Sequence, residues 1–132
     1  MKIELDATSP DLNIISSYSA GVIVINGTRY VRSLVVTADR VLENWPPRVH
    51  TELCAAHMEQ VVGLGPEIVL LGTGTRLVFP TAEILSPLHS AGIGYEVMDT
   101  GAACRSYNFL VNEGRRVAAA LLPVTEPDTS SR

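Results

Sequence analysis

Two short segments of the chain carry residue types that could together hold a small anion. The first, Gly72-Thr73-Gly74, ends an apolar run and can present backbone N–H groups with no side chain in the way. The second begins with Asp99 and Thr100, at the predicted start of a helix whose free N–H groups attract negative charge. Because ligands bind beyond the carboxyl ends of parallel strands, both segments are predicted to border one crevice.

Three residues just beyond the second segment extend this candidate site. Cys104 lies within or just past the first turn of the predicted helix, where the helix dipole lowers a thiol pKa. Arg105 can hold a carboxylate or phosphate with its forked guanidinium group, and Asn108 follows it. The alternative is structural, with a helix cap at Asp99 or Thr100, a packed cysteine and a solvated arginine.

The glycine turn does not match a nucleotide-binding motif. It lacks the third glycine of a dinucleotide fingerprint, and no P-loop lysine follows it. The two cysteines, Cys54 and Cys104, have no CxxC spacing, and the three histidines have no metal-ligand spacing. We therefore expect no cofactor and no metal site.

A second pair of reactive side chains lies on the predicted helix 51–62, which Thr51 is expected to cap. Cys54 and His57 are three positions apart, a spacing that could pair a thiolate nucleophile with its base. The alternative is that both are core or near-core residues, since no third group is visible to orient the imidazole.

The segment Trp45-Pro46-Pro47 has a different character. Two consecutive prolines forbid a continuing helix and favour an extended connector. Trp45 is the only tryptophan of the chain. Two interpretations remain open: the indole packs the connector onto the body of the domain, or Trp45, Pro46 and Pro47 contact a protein partner.

The clearest local pattern is a β-hairpin in the first third of the chain. Two β-rich runs, 21–25 and 28–36, flank the dipeptide Asn26-Gly27. A two-residue type I′ turn needs positive φ at both positions, which asparagine and glycine tolerate best. The pattern predicts that Ile23 pairs with Tyr30.

The second half of the sequence alternates strands and helices. The predicted order is a strand at 67–71, a helix from Thr81 to about Ala91 that Pro87 interrupts, a strand at 94–98, a helix from Thr100 to about Asn112 and a strand at 117–122. Such alternation favours a largely parallel sheet covered by helices. We predict an α/β fold: a single three-layer domain over residues 1–122 with a central mixed, partly parallel sheet and an N-terminal β-hairpin. Residues 123–132 are predicted to form a disordered tail.

Composition bounds the class of protein. The 132 residues carry a net charge of −4 and no basic cluster beyond Arg115-Arg116, which argues against a nucleic-acid partner. No apolar run approaches the ~20 residues that cross a bilayer, and the first residues have no apolar signal-peptide core. We therefore expect a cytoplasmic protein with no membrane insertion, and a monomer.

Three ordered motifs resemble those of a known family. They lie in Pro66–Gly74 (PEIVLLGTG), Gly92–Thr100 (GIGYEVMDT) and Ala103–Leu122 (ACRSYN, EGR and VAAALL). Together they are similar to small bacterial and archaeal proteins of unknown function that are grouped with a mitochondrial complex I (NADH dehydrogenase) assembly factor. The resemblance implies a three-layer α/β domain with no established catalytic activity, and action through the binding of partner proteins.

Two functional hypotheses follow. The first is a non-catalytic, assembly-factor-like domain that binds a protein partner. The alternative is a small-molecule or anion-binding protein, with or without catalysis, that uses the Gly72–Gly74 turn and the start of the helix near Thr100.

Overall fold

Two β-sheets and three α-helices make up residues 11–125, the part of the chain that the computed structural model describes. The smaller sheet is antiparallel, with the strand order β1-β2-β3. Its strands are β1 (Ile15–Ser19), β2 (Val22–Ile25) and β3 (Thr28–Tyr30). The predicted N-terminal hairpin is therefore present as β2 and β3, and β1 extends it to a three-stranded sheet.

The turn of this hairpin has the predicted geometry. Asn26 and Gly27 both have positive φ, 49° and 85°, as a type I′ turn requires. The pairing of Ile23 with Tyr30 is confirmed. The side chain of Asn26 also accepts the Ile14 N–H at 2.9 Å, so the turn is tied to the residue just before β1.

The larger sheet is mixed, with the strand order β5-β4-β8-β6-β7. Its strands are β4 (Leu34–Val36), β5 (Val41–Leu42), β6 (Ile68–Gly72), β7 (Gly94–Met98) and β8 (Val117–Leu121). Strand β6 pairs in parallel with both β7 and β8, whereas β4 pairs antiparallel with β5 and β8. The prediction of a mixed, partly parallel sheet is confirmed.

The β-rich run 28–36 is divided between the two sheets. Strand β3 ends at Tyr30, and Leu34 then pairs with Leu121 of the larger sheet. The three residues between the strands include Val31, which is 64% exposed, and Ser33, which is 1% exposed.

The helices are a 3-10 turn at His50–Glu52, α1 (Ala55–Val62), α2 (Ala82–Ser90) and α3 (Thr100–Asn112). The prediction of a helix that starts after Thr51 is wrong, because Cys54 is the N-cap of α1. The bounds predicted for the helix after Asp99 are confirmed in α3.

Pro87 lies inside α2, which continues through it as one helix, so Pro87 does not begin a second helical segment. A proline cannot donate to the carbonyl four residues earlier, here that of Glu83. The hydroxyl of Ser86 donates to that carbonyl instead, at 2.9 Å. The missing backbone hydrogen bond is thus replaced, and the helix continues to Ser90.

Three layers result from packing on both faces of the larger sheet. Leu34 and Val36 face one apolar cluster, which includes Tyr107 of α3 and Ile23 of the smaller sheet. Val35 faces the other cluster, together with residues of α1 and α2. Since strand side chains alternate between faces, this division is the expected one. The three-layer α/β class predicted from the sequence is confirmed.

Residues 123–125 were predicted to belong to the disordered tail, but they are hydrogen-bonded to the body. The carbonyl of Val124 accepts the Gly21 N–H at 2.7 Å. The N–H of Thr125 donates to Thr75 Oγ1 at 2.9 Å. The remainder of the predicted tail, 126–132, lies outside the described residues.

Candidate functional site

The Gly72–Gly74 turn and the start of α3 lie directly against each other. The Gly74 N–H donates to Thr100 Oγ1 at 2.8 Å, and the Thr100 N–H donates to the Gly74 carbonyl at 2.8 Å. Gly72 is required here by sterics, because a Cβ at that position would lie 2.9 Å from the Thr100 Cα. The two predicted segments are therefore packed together, with no space between them for an anion.

The backbone N–H groups of the turn are already occupied. The Thr73 N–H donates to the Met98 carbonyl at 3.0 Å, and the Gly74 N–H is taken by Thr100. The Thr73 hydroxyl donates to the Arg76 carbonyl at 2.6 Å and accepts the Val78 N–H at 3.0 Å. All three residues of the turn are buried. The expectation that this turn presents free donors is thus contradicted by its hydrogen bonding.

The start of α3 is capped by the protein itself. Asp99 Oδ1 accepts the Ala102 N–H at 2.8 Å, which is the ordinary N-cap contact. The ring of Tyr18 covers Gly101, where an added Cβ would lie 2.8 Å from the phenol oxygen. These contacts agree with the structural interpretation, in which Asp99 caps the helix and does not help to bind an anion.

The side chains predicted to extend this site have structural contacts. Cys104 is buried, and burial raises the pKa of its thiol to about 12, against a smaller lowering effect of Arg105. Arg105 donates to the Tyr18 phenol oxygen. The Asn108 amide pairs with the backbone of Ile15, accepting from its N–H and donating to its carbonyl, both at 2.9 Å. Cys104 is therefore a core thiol, not a thiolate.

The two thiols should consequently differ in reactivity. Cys54 is exposed and Cys104 is buried. We expect one thiol per folded molecule to react with a disulfide reagent near pH 8, and two after denaturation. The Cys54→Ser variant should then show no fast reaction, whereas Cys104→Ala should keep it. Fast modification of Cys104 in the folded protein would contradict the assignment.

The raised pKa of Cys104 also predicts a loss of stability in alkali. In the unfolded chain the thiol ionises near the ordinary cysteine pKa of 9.0, while in the folded protein it holds its proton until about 12. Between these values only the unfolded state loses the proton, so the free energy of unfolding should fall as pH rises above about 9. Urea unfolding of wild type and Cys104→Ala across this range tests the prediction, because the alanine variant should lack this component.

Cys54 and His57 together cap α1. His57 Nδ1 accepts the Cys54 N–H at 3.2 Å and lies 3.5 Å from Cys54 Sγ. The imidazole also meets the Trp45 ring edge-on, with centroids 5.9 Å apart. These contacts give Cys54 and His57 a structural role at the first turn of α1.

The Trp45-Pro46-Pro47 connector is divided between core and surface. Trp45 is 2% exposed and packs in the apolar cluster with α1 and α2, so its indole face is not presented to a partner. Pro47 is also buried, while Pro46 is exposed. The position of Trp45 agrees with the first of the two interpretations, in which the indole packs the connector onto the body of the domain.

Two buried polar atoms beside this connector have no hydrogen-bond partner among residues 11–125. They are Ser33 Oγ and Trp45 Nε1. An unpaired buried donor costs roughly 1–3 kcal/mol. The two residues are joined through the backbone, since the Trp45 N–H donates to the Ser33 carbonyl at 2.9 Å. Sequence reasoning missed Ser33, because burial of an unpaired hydroxyl has no local sequence signal.

Three depressions on this side of the molecule adjoin one another through shared lining residues, and we call them together the arginine groove. Its section beside the hairpin shares Val31, Arg32 and Asn44 with the middle section. The middle section shares Arg48 and Pro123 with the section beside the Gly72–Gly74 turn. The charged residues that line the whole groove are Arg29, Arg32, Glu43, Arg48 and Arg76.

The groove is basic although the chain is acidic overall. Four of its charged lining residues are arginines and one is a glutamate, on a chain of net charge −4. Arg48 is paired with Glu52 at 3.0 Å, which holds the pKa of that carboxyl below its usual range. Two exposed apolar side chains, Val31 and Val49, line the groove. Leu77 and Phe79 are also exposed and lie next in sequence to Val78, which lines it.

The sequence motifs that carry the family resemblance include the Gly72–Gly74 turn and the start of α3, which are hydrogen-bonded to each other. A model of a protein family described as "Protein of unknown function (DUF498/DUF598)" matches residues 15–122. The chain belongs to the DUF498/DUF598 family. The predicted membership, including the link to complex I assembly factors, is confirmed by the relatives.

The relatives of this DUF498/DUF598 protein differ in how they are named. One is the "13 kDa major membrane protein" of Francisella tularensis, 31% identical over 107 residues that cover 80% of this chain and 86% of that protein. Another is "NADH dehydrogenase [ubiquinone] 1 alpha subcomplex assembly factor 3" of zebrafish (Danio rerio), 36% identical over 90% of this chain and 67% of that protein. The chain spans only 60% of the length of the human assembly factor.

Solved structures share the fold. A Bordetella pertussis protein described as a Mth938-like domain has a TM-score of 0.82 and 30% identity, over 100% of this chain and 98% of that chain. A protein of Bartonella henselae described as an outer membrane protein has a TM-score of 0.72 and 27% identity, over 87% of this chain and 98% of that chain.

Two of these names bear on location. The Francisella and Bartonella relatives are both named as membrane proteins, so the prediction of a cytoplasmic protein is contradicted. Within residues 11–125, no helix is both long and apolar enough to span a bilayer.

Proposed function

We propose that this DUF498/DUF598 protein is a non-catalytic, assembly-factor-like domain that binds an acidic protein surface in its arginine groove. The observation that carries the proposal is the groove itself: four arginines from distant parts of the chain line its three adjoining depressions. Arginine and exposed apolar side chains are the combination enriched in protein interfaces. The name of the vertebrate relatives, assembly factors of NADH dehydrogenase, supports a role in partner binding.

The charge of the groove indicates the chemistry of the partner. A channel lined by four arginines attracts an acidic segment and disfavours a basic one, even on a protein whose net charge is negative. Val31 and Val49 line the groove, are 64% and 44% exposed, and would be covered by such a segment. The partner is therefore a protein with carboxylates next to apolar side chains.

The names of two relatives as membrane proteins support a partner at a membrane. The chain is then recruited there by its groove. Cell fractionation tests this directly: wild type should sediment with membranes, and a variant with a reversed groove charge should be released to the soluble fraction.

The decisive variant reverses two arginines at opposite ends of the groove, Arg29→Glu with Arg76→Glu. The matched control is Arg40→Glu, an exposed arginine that does not line the groove. After the partner is identified by mass spectrometry and purified, we expect the double variant to bind it at least about tenfold more weakly. The Arg40 variant should bind like wild type.

A second variant, Val31→Ser with Val49→Ser, removes the two exposed apolar side chains that line the groove and should also weaken the purified complex. Equal binding by wild type and both groove variants would refute the proposed surface. Binding of the wild-type groove to RNA in preference to the purified protein would refute the proposed class of partner.

A further inference from the structure

The middle section of the arginine groove is a cleft of about 480 Å³ with an unusual floor. Ser33 and Trp45 form this floor and are 1% and 2% exposed, while Val31, Arg32 and Arg48 on the walls are exposed. We call it the Ser33–Trp45 cleft. Its volume lies within the range of small-molecule sites, although it is open to solvent on one side.

The two floor residues hold the unpaired polar atoms of the region, Ser33 Oγ and Trp45 Nε1, and both atoms are themselves buried beneath the surface of the cleft. Ser33 directly precedes β4, where side chains alternate between the faces of the sheet, so it shares a face with Val35, which packs in the same cluster as Trp45. The hydroxyl and the indole therefore lie on the same side of the sheet. An indole N–H can only donate, and a hydroxyl can donate as well as accept.

The chemistry around these donors selects the ligand. Buried donors without partners favour an acceptor, and the Arg32 guanidinium at the wall favours a negative one, whereas that of Arg48 is already paired with Glu52. Most of the remaining wall is apolar, with Val31, Pro46 and Pro123, and Asn44 is a further polar residue. A carboxylate on an apolar body satisfies both parts of this lining, whereas inorganic phosphate satisfies only the charged part.

We propose that the Ser33–Trp45 cleft binds the carboxylate group of a ligand with a small apolar body, which the Arg32 guanidinium attracts. Small side-chain movements in the floor then expose Ser33 Oγ–H and Trp45 Nε1–H as donors to the carboxylate. The carboxylate can belong to a free organic acid or to an acidic side chain of a protein. Carboxylate binding in this cleft does not require that the groove bind a protein.

The single tryptophan makes the cleft directly observable. In a ¹H–¹⁵N spectrum of the full chain, Trp45 gives the one indole N–H signal. Titration with benzoate should move this signal downfield to saturation, with a dissociation constant in the millimolar range or below. Benzamide, which has the same shape without the charge, should leave it in place.

Further probes distinguish the sources of the carboxylate. Hexanoate represents a free acid, and a blocked glutamate (N-acetyl, C-terminal methylamide) represents a protein side chain. Tighter binding of the free acids assigns the cleft to a small molecule, and tighter binding of the blocked glutamate assigns it to a protein partner. Inorganic phosphate binding as tightly as benzoate would overturn the proposed carboxylate.

Variants separate binding from folding. Ser33→Ala should weaken benzoate about tenfold, because it removes one of the donors. Its thermal unfolding temperature without ligand should be unchanged or higher, since the deleted hydroxyl is buried without a partner. Arg32→Gln should weaken benzoate similarly, while Ser90→Ala and Arg40→Gln, away from the cleft, should have no effect.

An indole signal that none of the carboxylates moves would overturn the proposal. So would unchanged benzoate affinity in both Ser33→Ala and Arg32→Gln. If Ser33→Ala is instead destabilised without ligand, the hydroxyl has a structural partner, and its assignment as a ligand donor is wrong.

Discussion

Replacement of Thr100 by valine is expected to destabilise the protein by about 2–4 kcal/mol, because two buried backbone groups lose their partner at once. The Thr100 hydroxyl accepts the Gly74 N–H at 2.8 Å and donates to the Leu122 carbonyl at 2.6 Å. The residue is fully buried, so water cannot replace the lost partner. Valine keeps the shape and removes only the hydrogen bonding.

The loss would be a large fraction of the total stability, which is about 5–15 kcal/mol for a protein of ordinary stability. Urea unfolding of the variant measures it. The matched control is Thr100→Ser, which keeps the hydroxyl and loses one methyl group, and which should cost about 1 kcal/mol. If Thr100→Val lowers the free energy of unfolding no more than Thr100→Ser does, the hydroxyl does not link the Gly72–Gly74 turn to the end of β8.

Replacement of Asn108 by alanine is expected to cost about 1–3 kcal/mol and to loosen β1 before the rest of the protein. The amide of Asn108 pairs with both backbone groups of Ile15, across 93 positions of sequence. Ile15 is buried, so its N–H and carbonyl would be left with poor access to water.

Hydrogen exchange tests this prediction residue by residue. Exchange of the β1 amides should accelerate in Asn108→Ala, while exchange in β6 and β8 should follow the global change in stability only. The control is Asn112→Ala, one turn along the same helix, because Asn112 is exposed and its amide donates to the Asn108 carbonyl within α3. Uniform acceleration across all strands in Asn108→Ala would contradict a specific role in holding β1.

Together these two residues explain why the segments predicted to hold an anion form a structural centre. Residue types and spacing predict that Thr100 and Asn108 face a ligand and that the Gly72–Gly74 turn offers donors. Each of these groups instead bonds a segment far away in sequence: Leu122, Ile15 or Met98. A side chain that can bind an anion can equally bind a carbonyl or an N–H, and only the fold shows which is nearby.

Elements with local causes could be predicted from the amino-acid order. Asn26-Gly27 specifies the hairpin, because both residues tolerate positive φ. The alternation of apolar runs and helical stretches after residue 66 specifies the strand at 94–98 and the helix at 100–112. The three motifs of this region also sufficed to indicate the family.

Other features depend on contacts between distant segments and could be recognised only in the folded chain. The backbone leaves one sheet after Tyr30 and enters another at Leu34, because Leu34 gains a place in the core against β8 that no local pattern indicates. The same crossing buries Ser33 beside Trp45 and brings arginines of the hairpin into one groove with Arg48 and Arg76. Burial, hydrogen-bond partners and charge clusters follow from which remote segments meet, and that is set by the packing of the whole chain.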